Sequence, residues 1–220
     1  MNVCVLIPCY NEEAAIASVV RQLKAKGLPV VVVDDGSQDR SALVAKEAGA
    51  EVLVQEKNCG KGHALKTGIE YLLTFDYDGI LMMDGDGQHA IEDVDVFLAK
   101  AQENPHCMIN GNRMAHPDGM PRIRVWTNHF MSWIISRLIG CAVPDTQCGY
   151  RYVGMEILKR IKLESEHFEI ETELLIKASR MRFDIVSVPV KTIYGKEKSS
   201  IRPVRDTFNF VRYYCKEFLS

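Results

Sequence analysis

Ile80-Leu81-Met82-Met83-Asp84-Gly85-Asp86-Gly87-Gln88-His89 is an apolar run that stops at two carboxylates two residues apart. Residues 80–83 read as a buried strand, and the glycines end it. In extended chain, residues i and i+2 point to the same side, so Asp84 and Asp86 are expected to face one point just beyond the strand. Two carboxylates there repel each other unless something positive sits between them. A hard divalent cation suits that place, with Mg²⁺ or Mn²⁺ taking oxygen ligands and leaving room for a phosphate. Gln88 adds a carbonyl oxygen at the next even position. The same residues also fit a solvated Asp-Gly turn. A helix-loop-helix calcium site fits poorly, because His89 stands where that loop needs glycine.

Working outward, residues 3–7 form a short apolar run halted by Pro8, and residues 30–33 form another that ends in Asp34-Asp35-Gly36-Ser37. Residues 51–55 read as a third strand and 79–83 as the fourth. Between them lie helical patterns. Ala14, Ala15, Ile16, Val19, Val20 and Leu23 make an apolar stripe, with Asn11 placed to cap it and Glu12 and Glu13 suited to its first turn. A helix to Ala48 is ended by Gly49, and a third runs from Ala64 to about Leu73. Alternating strands and helices imply a parallel sheet with right-handed crossovers. Ligands in such sheets bind beyond the carboxyl ends of the strands. Pro8-Cys9-Tyr10-Asn11-Glu12, Asp34-Asp35-Gly36-Ser37 and Asp84-Gly85-Asp86 should therefore share one edge. Gly60-Lys61-Gly62 is not a P-loop, since Gly62 stands where Ser or Thr is needed. Lys61 there is either a local positive charge for a nucleotide or part of a flexible helix entry.

The second half alternates less regularly. Residues 91–101 read as a helix and 107–111 as a strand, followed by Asn112-Arg113. A loop with His116, Pro117, Gly119 and Pro121 suits a lid or binding loop and leads to Arg122 and Arg124. Residues 125–139 read as a helix whose Trp126, Phe130, Trp133, Ile134, Leu138 and Ile139 are expected in the core, with contact to lipid as the alternative. Asp145-Thr146-Gln147-Cys148-Gly149-Tyr150-Arg151 follows, then Tyr152-Val153 and a short helix. Glu169, Glu171 and Glu173 open another helix, and 185–190 is a late strand. Lys196, Lys198 and Arg202 make the next loop basic. Val204, Phe208, Val211, Tyr214 or Cys215, and Phe218 recur at helical spacing with Arg205, Arg212 and Lys216 between them, which suits a helix capping its own core or lying on a membrane.

The chain has 220 residues, enough for one domain with a full core. Lys and Arg number 27 against 29 Asp and Glu, a net charge of -2, which gives no reason to expect nucleic acid. The seven cysteines form no Cys-x-x-Cys pair, so zinc is disfavoured and reduced thiols in the cytoplasm are expected. The N-terminus lacks the pattern of a signal peptide, and no apolar run approaches the roughly 18–20 residues of a membrane span. A cytoplasmic protein is expected, with peripheral attachment at the inner face of a membrane left open.

Ile7-Pro8-Cys9-Tyr10-Asn11-Glu12, Val33-Asp34-Asp35-Gly36-Ser37, Met83-Asp84-Gly85-Asp86-Gly87-Gln88-His89 and Thr146-Gln147-Cys148-Gly149-Tyr150-Arg151 stand in an order that resembles glycosyltransferase family 2. The branch that looks closest holds the dolichyl-phosphate mannose synthases and their bacterial polyprenyl-phosphate relatives. The resemblance covers nearly the whole chain. It implies an α/β glycosyltransferase A fold, a single domain with a Rossmann-like, mostly parallel central sheet flanked by helices. The donor-binding half would span about 1–112 and the acceptor-binding half about 113–220. It further implies an inverting, Mg²⁺- or Mn²⁺-dependent transfer of a hexose from a GDP-mannose or UDP-glucose type of donor to polyprenyl or dolichyl phosphate. Pro8, Tyr10, Glu12 and Asp35 would line the nucleotide pocket, joined at the donor by Lys61, Asp84, Lys198 and Arg202. Asp84, Asp86 and Gln88 would hold the metal. Asp86, Arg113 and Arg151 would be catalytic, and Arg122, Arg124 and Arg151 would meet the acceptor phosphate. A hydroxyl acceptor would instead need a carboxylate base, for which Glu171 and Glu173 are the candidates. A nucleotide-sugar-binding module without turnover is the reading from another class. Soluble members of this branch use a membrane-protein partner or surface attachment.

Overall fold

The computed structural model describes residues 1–165 and 169–193. Seven strands form one sheet: β1 (Val3–Cys9), β2 (Val30–Asp34), β3 (Glu51–Val54), β4 (Gly79–Met82), β5 (Met108–Asn112), β6 (Arg151–Gly154) and β7 (Ile185–Pro189). The helices are α1 (Ile16–Ala25), α2 (Ser41–Glu47), α3 (Lys61–Leu72), α4 (Val94–Glu103), α5 (Arg122–Ile139), α6 (Met155–Arg160) and α7 (Glu169–Arg180). The strand order is β3-β2-β1-β4-β6-β5-β7. All neighbours run parallel except that β6 is antiparallel to both β4 and β5.

β1 shows why this sequence makes a doubly covered sheet. Val3, Val5, Ile7 and Cys9 pack with α1 and α4 on one face, while Cys4 and Leu6 pack with α3 and α7 on the other. Every one of them is buried, so the strand needs apolar residues at both parities instead of alternation. Cys9 pairs with Asp34 and Leu6 with Met82, which brings the carboxyl ends of β1, β2 and β4 to one edge. Asp35 donates its N–H to the Cys9 carbonyl at 2.8 Å, and Met83 to the Leu6 carbonyl at 3.2 Å.

Four local expectations change. Asn11 does not cap α1, which begins five residues later at Ile16. Its φ of 56° is a left-handed conformation that asparagine tolerates. There it accepts the Gln38 N–H at 2.8 Å and gives its own N–H to Ser37 Oγ at 2.9 Å. β4 stops at Met82, so Asp84 follows two residues beyond the strand and Asp86 lies in the turn that begins at Gly85. Residues 151–154 are a strand of four, too short for its pattern to announce itself. On α5 the inward residues are Asn128, Ser132 and Ile135, while Trp126, Phe130 and Trp133 point out. The stretch 204–218 lies outside the described residues.

Candidate active site

The first wall of the site is made by the loops after β1 and β2, which are laced together. Glu12 N–H donates to Ser41 Oγ at 2.7 Å, Glu13 N–H to Asp39 Oδ2 at 3.2 Å, and Arg40 N–H to Glu13 Oε2 at 2.9 Å. Asp35 is buried, and its two carboxylate oxygens accept the N–H groups of Cys59 and Gly60 at 2.8 and 2.7 Å. Gly36 has φ +71°, and a Cβ on it would lie 2.6 Å from the Lys57 carbonyl carbon. The Lys57–Gly60 loop thus sits directly on the β2 end, which delivers Lys61 to the first turn of α3. Pro8 is partly buried in β1, Glu12 is half-buried, and Tyr10 is exposed at the rim.

Beyond this wall lies a cluster of charges. Lys61 Nζ stands 2.5 Å from Asp84 Oδ1 and 2.7 Å from Glu171 Oε1. His89 Nε2 is 3.4 Å from Asp84 Oδ2. Burial by itself raises the Asp84 carboxyl, but the Lys61 ammonium and the His89 ring outweigh it and hold the group well below the usual range. Burial likewise disfavours the Lys61 ammonium, and its two carboxylate partners outweigh that, so the lysine stays charged. The Asp84 side chain keeps 32% of its surface exposed, so it remains open to an incoming group. Asp86 accepts the Gln88 N–H at 2.9 Å. Its carboxyl is pushed up, first by burial and then by the negative charge of Asp84.

The second wall is the loop between α5 and β6. A Cβ on Gly149 would come within 2.9 Å of Asp84 Oδ2, 3.0 Å of Lys61 Nζ and 3.1 Å of Glu171 Oε1. Any side chain at this position would push on the charged ends of those three residues. The loop is anchored by Asp145, fully buried, which takes a two-pronged contact from Arg113: Nε to Oδ2 at 2.7 Å and Nη2 to Oδ1 at 2.9 Å. Further on, the chain after β7 crosses the Asp84–His89 turn. Lys191 N–H donates to Asp93 Oδ2 at 2.7 Å, and Ile193 N–H to the Gln88 carbonyl at 2.9 Å.

Oxygen-only side chains at a carboxyl edge, a charge-compensating lysine and a Gly-closed loop suit a phosphorylated ligand. A sequence model described as "Glycosyl transferase family 2" matches residues 4–171. The chain belongs to glycosyltransferase family 2. It is similar to a dolichyl-phosphate hexose transferase of Haloferax volcanii, 30% identical over 192 residues that make up 86% of this chain and 82% of that protein. It is also similar to the UDP-N-acetylglucosamine–dolichyl-phosphate N-acetylglucosaminyltransferase of Methanococcus voltae, at 29% identity over 95% of this chain and 92% of that protein. Among solved structures, glucosyl-3-phosphoglycerate synthase from Mycobacterium tuberculosis, in complex with Mn²⁺, UDP and phosphoglyceric acid, matches with a TM-score of 0.73 and 23% identity. That likeness covers 96% of this chain and 75% of the other, and it fixes the fold as glycosyltransferase A.

Within this family 2 glycosyltransferase some expected side chains meet and others do not. Lys61, Asp84 and Glu171 converge, with Asp86 and His89 beside them. His89 carries a contact to Asp84 that its place after the Asp-x-Asp-x-Gln pattern could have signalled. Arg151 is corrected. It is fully buried, and Nε, Nη1 and Nη2 donate to the carbonyls of Cys148, Glu171 and Thr146 at 2.6, 2.6 and 2.7 Å. Its guanidinium holds the loop around the site and is not presented to an acceptor phosphate. Arg113 is buried in its fork with Asp145 and acts likewise as an anchor, not as a group open to the donor. Glu173 is corrected as a base candidate. It is fully buried and accepts the N–H groups of Glu164 and Ser165 at 2.9 and 2.8 Å and the Lys177 ammonium at 2.6 Å. Arg122 and Arg124 stand on the first turn of α5, outside the cluster. Lys198 and Arg202 lie outside the described residues. Cys9 and Cys148 are both pushed up to about 12, chiefly by burial, so neither supplies a thiolate nucleophile at neutral pH.

Proposed function

We propose that the protein transfers a hexose, with inversion, from a nucleotide-diphosphate sugar to a polyprenyl or dolichyl phosphate, with a divalent cation at Asp84 and Asp86. The observation that carries this reading is the Asp84–Lys61–Glu171 cluster at the carboxyl edge of β1, β2 and β4. We assign the donor side to about 1–112 and the acceptor side to about 113–220. The names of the two archaeal relatives support the lipid-phosphate acceptor, and the Mn²⁺ and UDP of the mycobacterial synthase support the donor and cation.

The residues fit a hard cation. Asp84 and Asp86 offer carboxylate oxygens and Gln88 an amide oxygen, and the Asp86 carboxyl, raised first by burial and then by the charge of Asp84, would gain from a cation beside it. No group of three or more His, Cys, Asp or Glu positioned to hold a metal occurs among the described residues. Phosphate oxygens of the donor and water would therefore complete the shell, as suits Mg²⁺ or Mn²⁺. When bound, the cation offsets charge developing on the leaving diphosphate.

The chain's own residues do the rest. Pro8, Tyr10 and Glu12 line the nucleotide side, the buried Asp35 holds the Cys59–Gly60 loop behind it, and Lys61 supplies a fixed positive charge toward the diphosphate. The acceptor phosphate is anionic at neutral pH, so its oxygen can attack the anomeric carbon, and the bond to the nucleoside diphosphate breaks, with no base required. A second reading, with a hydroxyl acceptor, is favoured by one observation: Glu171 is in the cluster. Its carboxylate is already engaged by Lys61 at 2.7 Å, however, and the relatives' names favour the phosphate acceptor, which is preferred.

The test is a panel of radiolabelled nucleotide sugars offered with undecaprenyl or dolichyl phosphate, followed by organic extraction. Label in the lipid phase, lost on adding EDTA and restored by Mn²⁺ or Mg²⁺, is expected. Release of nucleotide with label only in water-soluble saccharide supports the second reading. Binding of donor with neither product reduces the protein to a binding module.

A further inference from the structure

An ordinary surface helix buries its apolar side and shows its polar side to water. α5 departs from this: it buries Asn128 and Ser132 beside Ile135 and leaves its largest apolar side chains outside. Ile123, Trp126, Phe130 and Trp133 are 71%, 65%, 48% and 57% exposed, and their spacing of three, four and three residues lines them along one face. The rings form a continuous ladder: Trp126 stacks on Phe130 with centroids 5.7 Å apart and planes 2° from parallel, and Phe130 meets Trp133 at 6.4 Å. Arg137 lies over the Trp133 ring at 5.4 Å. Leaving four large apolar side chains in water on one face needs an explanation that scattered surface residues do not.

The charge on the same helix narrows what covers it. Its eighteen residues contain Arg122, Arg124, His129 and Arg137 and no Asp or Glu. Arginines thus flank the aromatic ladder at both ends. Indole rings bracketed by basic side chains match the headgroup region of a bilayer, which takes amphipathic rings at its boundary and attracts cations to anionic lipid. Among the described residues no helix is long and apolar enough to cross a membrane, so the contact would lie in the surface plane.

We infer that the outer face of α5 docks on the surface of an anionic lipid bilayer, inserting Trp126, Phe130 and Trp133. This deepens the lipid-phosphate reading above, but the docking stands on the helix alone. The inner face of α5 ties the docked surface to the catalytic edge. Ser132 Oγ accepts the Thr146 N–H at 2.9 Å, and Ser136 Oγ accepts the Val143 N–H at 2.9 Å. Three residues after Thr146, Gly149 abuts Asp84, Lys61 and Glu171. A bilayer held on α5 therefore lies one short loop from the cluster where an acceptor phosphate would react.

The chain's two tryptophans are both on this face, so the full-length protein reports on itself. Tryptophan emission is followed with vesicles of phosphatidylcholine alone and with about 30% phosphatidylglycerol, and with brominated lipids as quenchers. A blue shift, quenching by bromine and flotation with the anionic vesicles are expected. Phe130→Ser with Trp133→Ser should need at least about tenfold more lipid for half-binding, with unchanged circular dichroism and melting temperature. No shift and no flotation would overturn the inference. So would poor acrylamide quenching of the vesicle-free protein, or a dimer that this double variant splits, since either means that protein covers the face. Transfer to a short-chain, water-soluble acceptor phosphate separates the two proposals. If the variant retains it, a docking defect alone is at work; if wild type binds vesicles but transfers to no lipid phosphate, the docking survives and the acceptor reading does not.

Discussion

A single side chain's formal charge says little until its partners are known. Arg151, Arg113, Glu173 and Lys61 all look like ligand-binding groups in the sequence, yet only Lys61 reaches a carboxylate that is open to solvent. Arg151 spends its donors on three carbonyls, a use that no sequence pattern distinguishes from phosphate binding. Glu173 gives a clean test of such a structural role. Burial raises its carboxyl, but the bonds from Lys177, Ser165 and Glu164 outweigh this and lower it. A lowered carboxylate adds stability above its unfolded range near pH 4.5, and that stability is lost as pH falls through the folded value. Glu173→Gln should therefore cost about 1–3 kcal/mol at pH 7, measured by urea unfolding, and the gap to wild type should narrow toward pH 3. Asp86→Asn should behave in the opposite way. Burial and then the Asp84 charge raise its carboxyl and disfavour the ionised form, so the melting temperature should hold or rise at pH 7, while transfer falls about 10²–10³-fold. A variant that unfolds, or one that turns over normally, removes Asp86 from the proposed role.

At the scale of elements, what was legible in the sequence was periodicity, and what was hidden was which side of an element faces in. β1, β2 and β4 were readable because burial on both faces leaves unbroken apolar runs ended by Pro8, Asp34 and Asp84. β6 was not, because four residues carry barely two periods of any pattern. The spacing of Trp126, Phe130 and Trp133 placed them on one face of α5, but spacing is blind to direction. The inward Asn128 and Ser132 could not have signalled it, since small polar residues suit a solvated face better than a packed one. The loop from Val143 to Gly149 joins α5 to the site and has two separable jobs. Its anchor is the Arg113–Asp145 fork. Asp145→Ala strands a buried guanidinium, so it should cost about 3–5 kcal/mol, read by chemical denaturation. Its tip is Gly149. Gly149→Ala sets a methyl against Asp84, Lys61 and Glu171, which are the movable ends of side chains and not backbone. The melting temperature should therefore change by only a degree or two, while donor turnover falls about tenfold or more. A large loss of stability in Gly149→Ala with intact turnover would reverse this assignment.

For the molecule as a whole, the question is whether the proposed cation belongs to the fold or only to the reaction. The core answers from one side. Two apolar layers pack on either face of a seven-stranded sheet, while Asp84 and Asp86 lie beyond the end of β4 and stay partly exposed. The cluster answers from the other side. Lys61 bridges Asp84 and Glu171 at 2.5 and 2.7 Å, so the chain carries its own positive charge at the place where the carboxylates meet. Removing divalent ions should then abolish transfer and leave the unfolding transition where it was. Adding Mn²⁺ together with a nucleoside diphosphate should raise stability by about 2.7 kcal/mol once the ligand is 100-fold above its dissociation constant. Lys61→Met sharpens the point. Without the ammonium, Asp84 keeps only His89 at 3.4 Å and Glu171 only Arg151 at 3.8 Å, so stability should become dependent on added Mn²⁺ even without nucleotide, while donor affinity falls. Melting curves of wild type and Lys61→Met, each with EDTA and with Mn²⁺, decide it. If chelation lowers the wild-type transition as much as the variant's, the internal lysine does not stand in for the ion, and the cation is part of what holds the edge of the sheet together.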